Sequence, residues 1–358
     1  MTTLAPARPA GPQTRTRYVL VENSWPHHAI RAACLALAAL GVLWASQLTP
    51  FRVGQFTTVF VMAIAIIGLN LVTGYTGLLS IGHSAFFGLG AYTTGVLIVK
   101  LEFAPLATIP IAMALTFVLG LLVGLPSLRI HGLYLALVTL AVAVAFPEIV
   151  RKLESLTGGA AGMVVRSRYL APPEWTGLVR AQRGIWTFWL SAFVLVVVML
   201  AARGLVRSRF GLRMRTVRDH EIAAAANGVG IARTKILVFG LSGAVTGLAG
   251  ALFTMYIGAL SPDGSFTLLK SIELVTGLVL GGVATQLGPL IGALAVVFLP
   301  YYTASFTTGP LSGVVFGAVL IALCFLMPEG IAGRLGLLIR KFVTVVPPDH
   351  PALGSPPG

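Results

Sequence analysis

The chain has 358 residues, 56% of them hydrophobic and only 10% charged, with a mean hydropathy of +0.91. Soluble domains carry about a quarter charged residues, so this balance excludes an ordinary soluble enzyme or binding domain. A net charge of +14 would suggest nucleic acid in a soluble protein; in a chain this apolar, basic residues collect in cytoplasmic loops and orient the helices, and nucleic acid is not an expected partner.

From the N-terminus, residues 1–28 carry Arg8, Arg15 and Arg17 among Pro, Thr and Gly and read as a disordered cytoplasmic tail, not a signal peptide. No Asp, Glu, Lys or Arg occurs from Val53 to Val99, from Phe103 to Leu128, or from Leu274 to Met327. A span needs roughly 20 apolar residues, so these runs are expected to hold two or more helices each. About ten apolar segments follow, near 30–49, 54–73, 79–99, 104–125, 131–149, 185–202, 236–260, 272–285, 287–304 and 311–327. The fold class is therefore all-α: a polytopic transmembrane helical bundle of about ten spans (8–10), with broken or re-entrant segments. Gly281-Gly282 and Gly288-Pro289 interrupt the run over 272–304, which reads as two short helices or one broken one. The transmembrane domain runs over 29–330, and 331–358 reads as a cytoplasmic C-terminal tail.

Basic loops set the orientation. The N-terminal tail, the loop over 203–235 and the C-terminal Arg334, Arg340 and Lys341 read as cytoplasmic. That places 150–184 outside, although it carries Arg151, Lys152, Arg166, Arg168, Arg180 and Arg183, which strains the same rule. Cys34 and Cys324 fall in apolar spans and read as buried thiols, with no metal cluster or disulfide framework around them.

The stretch Gly74-Tyr75-Thr76-Gly77-Leu78-Leu79-Ser80-Ile81-Gly82-His83-Ser84, running on to Tyr92, has too much glycine for a regular helix at its start. It reads as broken or re-entrant. Non-helical backbone at membrane depth survives only where protein covers it or where it lines a watery cavity. Thr76, Ser80, His83, Ser84 and Tyr92 are the candidates for lining a polar path, with Ser80 and Ser84 four apart on one helical face. His83 alone is equally read as a packed, hydrogen-bonded histidine.

The loop over 203–235 is dense in arginine and holds Asp219-His220-Glu221-Ile222-Ala223-Ala224-Ala225-Ala226-Asn227-Gly228. Asp219 reads as an N-cap, and Glu221 adds negative charge to the first turn, where the helix dipole favours it. The alanines are the best helix formers and Gly228 stops the helix. Two turns of helix do not stand alone in water, so this one needs a surface, on its own bundle or on another protein.

Small residues recur at four-residue spacing: Gly120 and Gly124, Gly243 and Gly247, Gly277 and Gly281, Gly288 and Gly292, Gly313 and Gly317. Such pairs let helices approach closely, either for plain packing or along a sliding surface. Lys270, Glu273 and Glu148 lie at span edges, paired or dipole-satisfied there, or in contact with a protein docking from outside. No phosphate-binding G-x-x-x-x-G-K-[ST] run occurs, and no catalytic carboxylate pair or triad stands out. The chain reads as a non-enzyme with no cofactor or metal of its own. A gradient-driven transporter would place ionisable groups inside the membrane, which the longest runs lack; a passive channel would work without partner subunits.

The 74–92 stretch strongly resembles the corresponding part of the inner-membrane permeases of branched-chain amino acid ABC transporters, the LivH/LivM family, and its continuation through Ala91-Tyr92-Thr93 is more similar to the LivM-type subunit. The resemblance spans about residues 55–330. It includes Leu156-Thr157-Gly158-Gly159-Ala160-Ala161-Gly162, similar to an extracytoplasmic glycine-rich segment, and Phe210–Ala224, similar to a cytoplasmic coupling region. Ser261-Pro262 and Leu280–Pro289 match two later stretches; urea and amide permeases share much of the pattern. The resemblance implies a permease subunit importing branched-chain or other hydrophobic amino acids, or urea and short amides, across the inner membrane. The implied partners are a second LivH-like permease, two ATPase subunits that use the ATP, and an extracytoplasmic binding protein. It also implies that Arg218, Asp219, Glu221, Ala223, Ala224 and Gly228 form the ATPase-coupling element, with Glu-x-Ala-Ala similar to a loosened importer loop signature.

Overall fold

The computed structural model describes residues 18–21, 36, 40–130, 132–166, 168–306, 311–327 and 329–346. The tail residues 1–17 and 22–28, Cys34, and part of the first apolar segment lie outside the described residues.

The main unit, Val42–Arg334, is predominantly helical. A helical stretch over 40–46 leads to α1 (Pro50–Leu69), which Pro50 starts at a position where its missing N–H costs nothing. There follow α2 (His83–Leu101), α3 (Pro105–Gly124), α4 (Leu133–Lys152), α5 (Arg183–Arg207), α6 (Arg209–Asp219), α7 (Glu221–Ala226) and α8 (Ile231–Ile257). After them come α9 (Leu268–Gly281), α10 (Gly288–Phe306), α11 (Leu311–Leu326) and α12 (Gly330–Phe342). Among the described residues, seven helical stretches are long and apolar enough to cross a membrane, and the shorter Gly288–Ala304 is apolar too. This is a multi-pass helical membrane protein.

Alpha-helices α1 and α8 form its centre. From Val59 to Leu69 every residue of α1 is buried, a helix apolar on all sides and enclosed by others. Helix α8 packs on α1, α2 and α3 through glycines rather than through large side chains. A Cβ on Gly90 would strike the Gly247 carbonyl, one on Gly120 the Phe239 carbonyl, and one on Gly250 the Phe87 carbonyl. The 272–304 run resolves into two helices: Gly277 faces Gly292 and Gly281 faces Gly288, so two of the four-spaced glycine pairs meet face to face in an antiparallel hairpin. Close backbone approach of this kind supplies the dispersion that lipid-facing helices cannot get from the hydrophobic effect.

Contacts between loops show which share an end. At one end Asn70 meets Ala284 and Thr285, Lys235 meets Ser127, and Arg203 Nη1 donates to Gln286 Oε1 at 3.0 Å. At the other, β2 (Met163–Val164) pairs antiparallel with β3 (Ala259–Leu260), Tyr169 donates to Glu102 at 3.4 Å, and Arg151 pairs with Asp263. So 203–235, 284–286 and 127 lie together, and 150–182 lies opposite. Several basic residues of that opposite end have local work. Arg151 also pairs with Glu148 at 2.6 Å, Arg183 donates to the Tyr256 carbonyl at 3.4 Å, and Arg168 sits over the Tyr169 ring. Lys270 and Glu273 pair with each other at 2.8 Å.

Two stretches assigned from sequence to tails carry regular structure. Tyr18–Val21 (β1) runs parallel to Val343–Val346 (β4) in a small second unit. Tyr-Val-Leu-Val and Val-Thr-Val-Val are β-branched and aromatic runs, the residues that favour a pleated pair, and composition averaged over the tails hid them. Residues 330–342 are helical.

Candidate functional site

Helix α1 does not end cleanly. Asn70–Gly74 widens into a π-helical turn, Tyr75 and Thr76 stay helical, and the chain then runs without regular structure from Gly77 to His83, where α2 begins. π turns inside helices occur mostly as single turns at functional sites. The break is therefore confined to 77–82, and the rest of the stretch to Tyr92 is ordinary helix despite Gly88 and Gly90.

Five candidates from the sequence fall around this break, and all five are buried. Ser80 is not on a helix. It sits in the irregular run and its hydroxyl lies 3.0 Å from His83 Nδ1, which corrects the expectation of a shared face with Ser84. His83 Nε2 is 2.7 Å from Ser242 Oγ, which in turn gives its proton to the Gly68 carbonyl at 2.6 Å. With that proton committed, Ser242 accepts from Nε2–H, and Nδ1 accepts from the Ser80 hydroxyl; the network fixes the tautomer. Ser84 is tied to α9: its N–H donates to Ser271 Oγ at 2.9 Å, and the two hydroxyls are 2.8 Å apart. Ser80, His83, Ser84, Ser242 and Ser271 thus form one polar cluster from three separate parts of the chain. Ser242 and Ser271 carried no motif and were missed; only their position on facing helices marks them.

Thr76 and Tyr92 stand apart from that cluster. Thr76 bonds the Leu71 carbonyl at 2.9 Å and closes the π turn. Tyr92 lies in an aromatic group with Phe146 and Phe266, its hydroxyl without a protein partner.

The second candidate element is the segment over 203–235. It is not a loop: α5 continues through Arg207, and α6 and α7 follow as two short helices. Ser208 caps α6, its Oγ accepting from the N–H of Phe210 and of Gly211. Asp219 closes α6, and His220, in extended backbone (φ −153°), takes the N-cap position of α7. The chain turns sharply between two helices there, so the acidic residue expected to open the second ends the first. At the far end Gly228 has φ +75°, with Gly228 N–H on the Ala225 carbonyl and Val229 N–H on the Ala224 carbonyl, both at 3.0 Å. This is the Schellman stop that the glycine implies.

The faces of α7 differ. Ala224 is wholly buried, whereas Ile222 is 88% exposed and Ala223, Ala225 and Ala226 are exposed too. Glu221 pairs at 2.6 Å with Lys235, in the first turns of α8. Arg218 turns away from solvent partners toward the Gly74 carbonyl. Beside that junction opens a cavity lined by Asn70, Tyr75, Arg203, Arg207, Thr285 and Gln286 among apolar side chains. Burial pushes the Tyr75 phenol up, the Arg215 charge pulling it partly back, so it stays a neutral donor.

The sequence matches the model of a family described as the branched-chain amino acid transport system permease component, over residues 51–324. The chain belongs to that family. It is similar to the high-affinity branched-chain amino acid transport system permease protein LivM of Escherichia coli K12, 31% identical over 83% of this chain and 73% of that protein. It is 28% identical to LivM of Salmonella typhimurium over the same shares. LivH of E. coli K12, the other permease type, is 24% identical over 76% of this chain and 91% of its own length. No solved structure matches. The family permeases are transport components and not enzymes by description, and the matched range contains both the broken helix entry and α6–α7.

Proposed function

We propose that this chain is one permease subunit of an ATP-driven importer in the inner membrane, moving branched-chain or other hydrophobic amino acids. It pairs with a second, LivH-like permease, two ATPase subunits and an extracytoplasmic binding protein. The observation that carries this reading is α7: a two-turn helix, anchored by Ala224 and Glu221 on its inner side, that holds Ile222 almost fully in solvent. An aliphatic side chain presented so on a basic surface suits an apolar socket on another protein. The basic end is then the cytoplasmic one.

ATP reaches the reaction only through the partner subunits. Their closing and opening bind α6–α7 differently in two states, and that difference in binding free energy shifts the bundle between arrangements. The hydroxyl and imidazole cluster around His83 supplies polar groups beside the break for a solute to exchange with. Isolation of the chain through a tag, with identification of what accompanies it, tests the assembly. Uptake of labelled leucine and of labelled urea into liposomes holding the isolated complex, with and without ATP, tests the energy source and the solute. Recovery of the chain alone, or accumulation of leucine without ATP, sinks the reading.

A further inference from the structure

Arg218 lies one residue before the end of α6, yet its side chain serves the break after α1. Its Nη1 donates to the Gly74 carbonyl at 2.7 Å, across 144 positions of sequence. Its stem covers Gly77: a Cβ there would stand 3.0 Å from Arg218 Cγ, and φ of +73° suits glycine in any case. The opposite side of the same turn is gripped by Asn70, whose Nδ2 donates to the Thr285 carbonyl at 3.0 Å and whose Oδ1 accepts from Ala284 N–H at 2.9 Å. From Gly77 onward no helical ladder holds the chain, only scattered hydrogen bonds, of which Leu78 has two, its carbonyl accepting from Thr73 Oγ1 at 3.1 Å. Leu78 N–H reaches the Val72 carbonyl at 3.1 Å, Ile81 N–H reaches Thr139 Oγ1 at 3.0 Å, and Ser80 reaches His83.

We propose that Arg218 is a positioning residue that carries movement of α6–α7 into the Gly74–Gly82 segment and so resets the approach to the Ser80–His83–Ser84 cluster. The inference rests on the reading of α7 as the ATPase-docking helix. Coupling between distant sites needs an element with two arrangements that both sites bias. The run from Gly77 to Gly82, outside regular helix, bounded by glycines and held by scattered bonds without a helical ladder, is such an element; the rigid helices around it are not. A hydrogen bond from a guanidinium is among the stronger kind and is partly exposed here, so it can both transmit and release. Within the coupling element that the resemblance implies, Arg218 is then the residue that acts inside this chain, on the Gly74 carbonyl.

The test uses the intact complex, isolated through a tag on this chain and placed in liposomes. Leucine uptake and ATP hydrolysis are measured together for the parent, Arg218→Gln and Arg218→Lys. In Arg218→Gln, leucine taken up per ATP hydrolysed falls roughly tenfold, the scale of one charged hydrogen bond, and Arg218→Lys recovers part of it. A second readout places Leu79→Cys in a chain with Cys34 and Cys324 changed to serine; Leu79 is 48% exposed and open to a soluble maleimide. Labelling differs between the nucleotide-free and ATP-plus-vanadate states in the parent, and Arg218→Gln removes the difference. An unchanged uptake-to-hydrolysis ratio, labelling indifferent to nucleotide in the parent, or a difference that survives Arg218→Gln overturns the proposal. Failure of the functional reading shows separately, in a parent complex that lacks ATPase subunits or needs no ATP.

Discussion

Glu221 Oε1 lies 2.6 Å from Lys235 Nζ, and the two sit in unequal surroundings: Lys235 is 1% exposed and Glu221 35%. The ammonium also reaches the Ser127 carbonyl, at 3.5 Å. Glu221 thus does two things, meeting the dipole at the start of α7 and neutralising a charge buried in α8, and it ties the short helix to the bundle.

That inequality predicts an asymmetry. Glu221→Ala strands a buried ammonium and destabilises the chain by about 3 kcal/mol, while Lys235→Met leaves a carboxylate that water can reach and costs roughly 1 kcal/mol or less. Thermal unfolding of the detergent-purified protein measures both. Equal losses, or a greater loss in Lys235→Met, would show that the pair does not hold α7.

The exposed tip of α7 predicts a separation between folding and assembly. Ile222→Asp weakens recovery of the ATPase subunits by about tenfold or more, as loss of a central apolar contact does, and leaves thermal unfolding of the isolated chain unchanged. Ala224→Asp does the reverse: a carboxylate forced into a fully buried site lowers the chain's own stability first. Comparable melting points for the two variants would contradict the assignment of faces.

His83 predicts a cost of disconnection. His83→Leu keeps volume and apolar contact but removes the acceptor for Ser80 and the donor to Ser242, lowering stability by about 1–3 kcal/mol. Ser242→Ala, which deprives the imidazole of its Nε2 partner, produces part of the same loss. Combined with His83→Leu it adds little, because both changes break one network. Full additivity in the double variant would mean the two side chains are not linked.

Much of this was legible in the sequence because membrane helices announce themselves by charge-free length, and because glycine marks breaks and stops by backbone geometry alone. The stop at Gly228 and the break after Gly74 were both read from residue type. What sequence could not give was pairing across distance. Arg218 and Gly74, His83 and Ser242, and Ser84 and Ser271 come together only through the packing of α8 and α9, which no local pattern encodes. The cap of α7 was misplaced for a different reason: two helices abut there, so Asp219 ends α6 despite the dipole preference for an acid at a helix start, and His220 takes the N-cap position. The inward turn of Ala224 was also hidden, since four successive alanines offer no polar face to orient the helix.

The glycine hairpin between α9 and α10 gives the last prediction. Gly292→Ala would push a methyl group into the Gly277 carbonyl, with backbone on both sides and no flexible side chain to yield. Separating the helices enough to admit it costs about 1–3 kcal/mol by overpacking. Gly317 has nothing within 4 Å of where its Cβ would stand, so Gly317→Ala gains helix propensity, roughly 1 kcal/mol, and meets no obstacle. Unfolding temperatures should therefore move in opposite directions for two substitutions of the same chemical kind. If Gly292→Ala instead melts like the parent but loses leucine uptake, the hairpin is a sliding surface and not a fixed seam, and the close approach of Gly277 and Gly292 belongs to one stage of a movement.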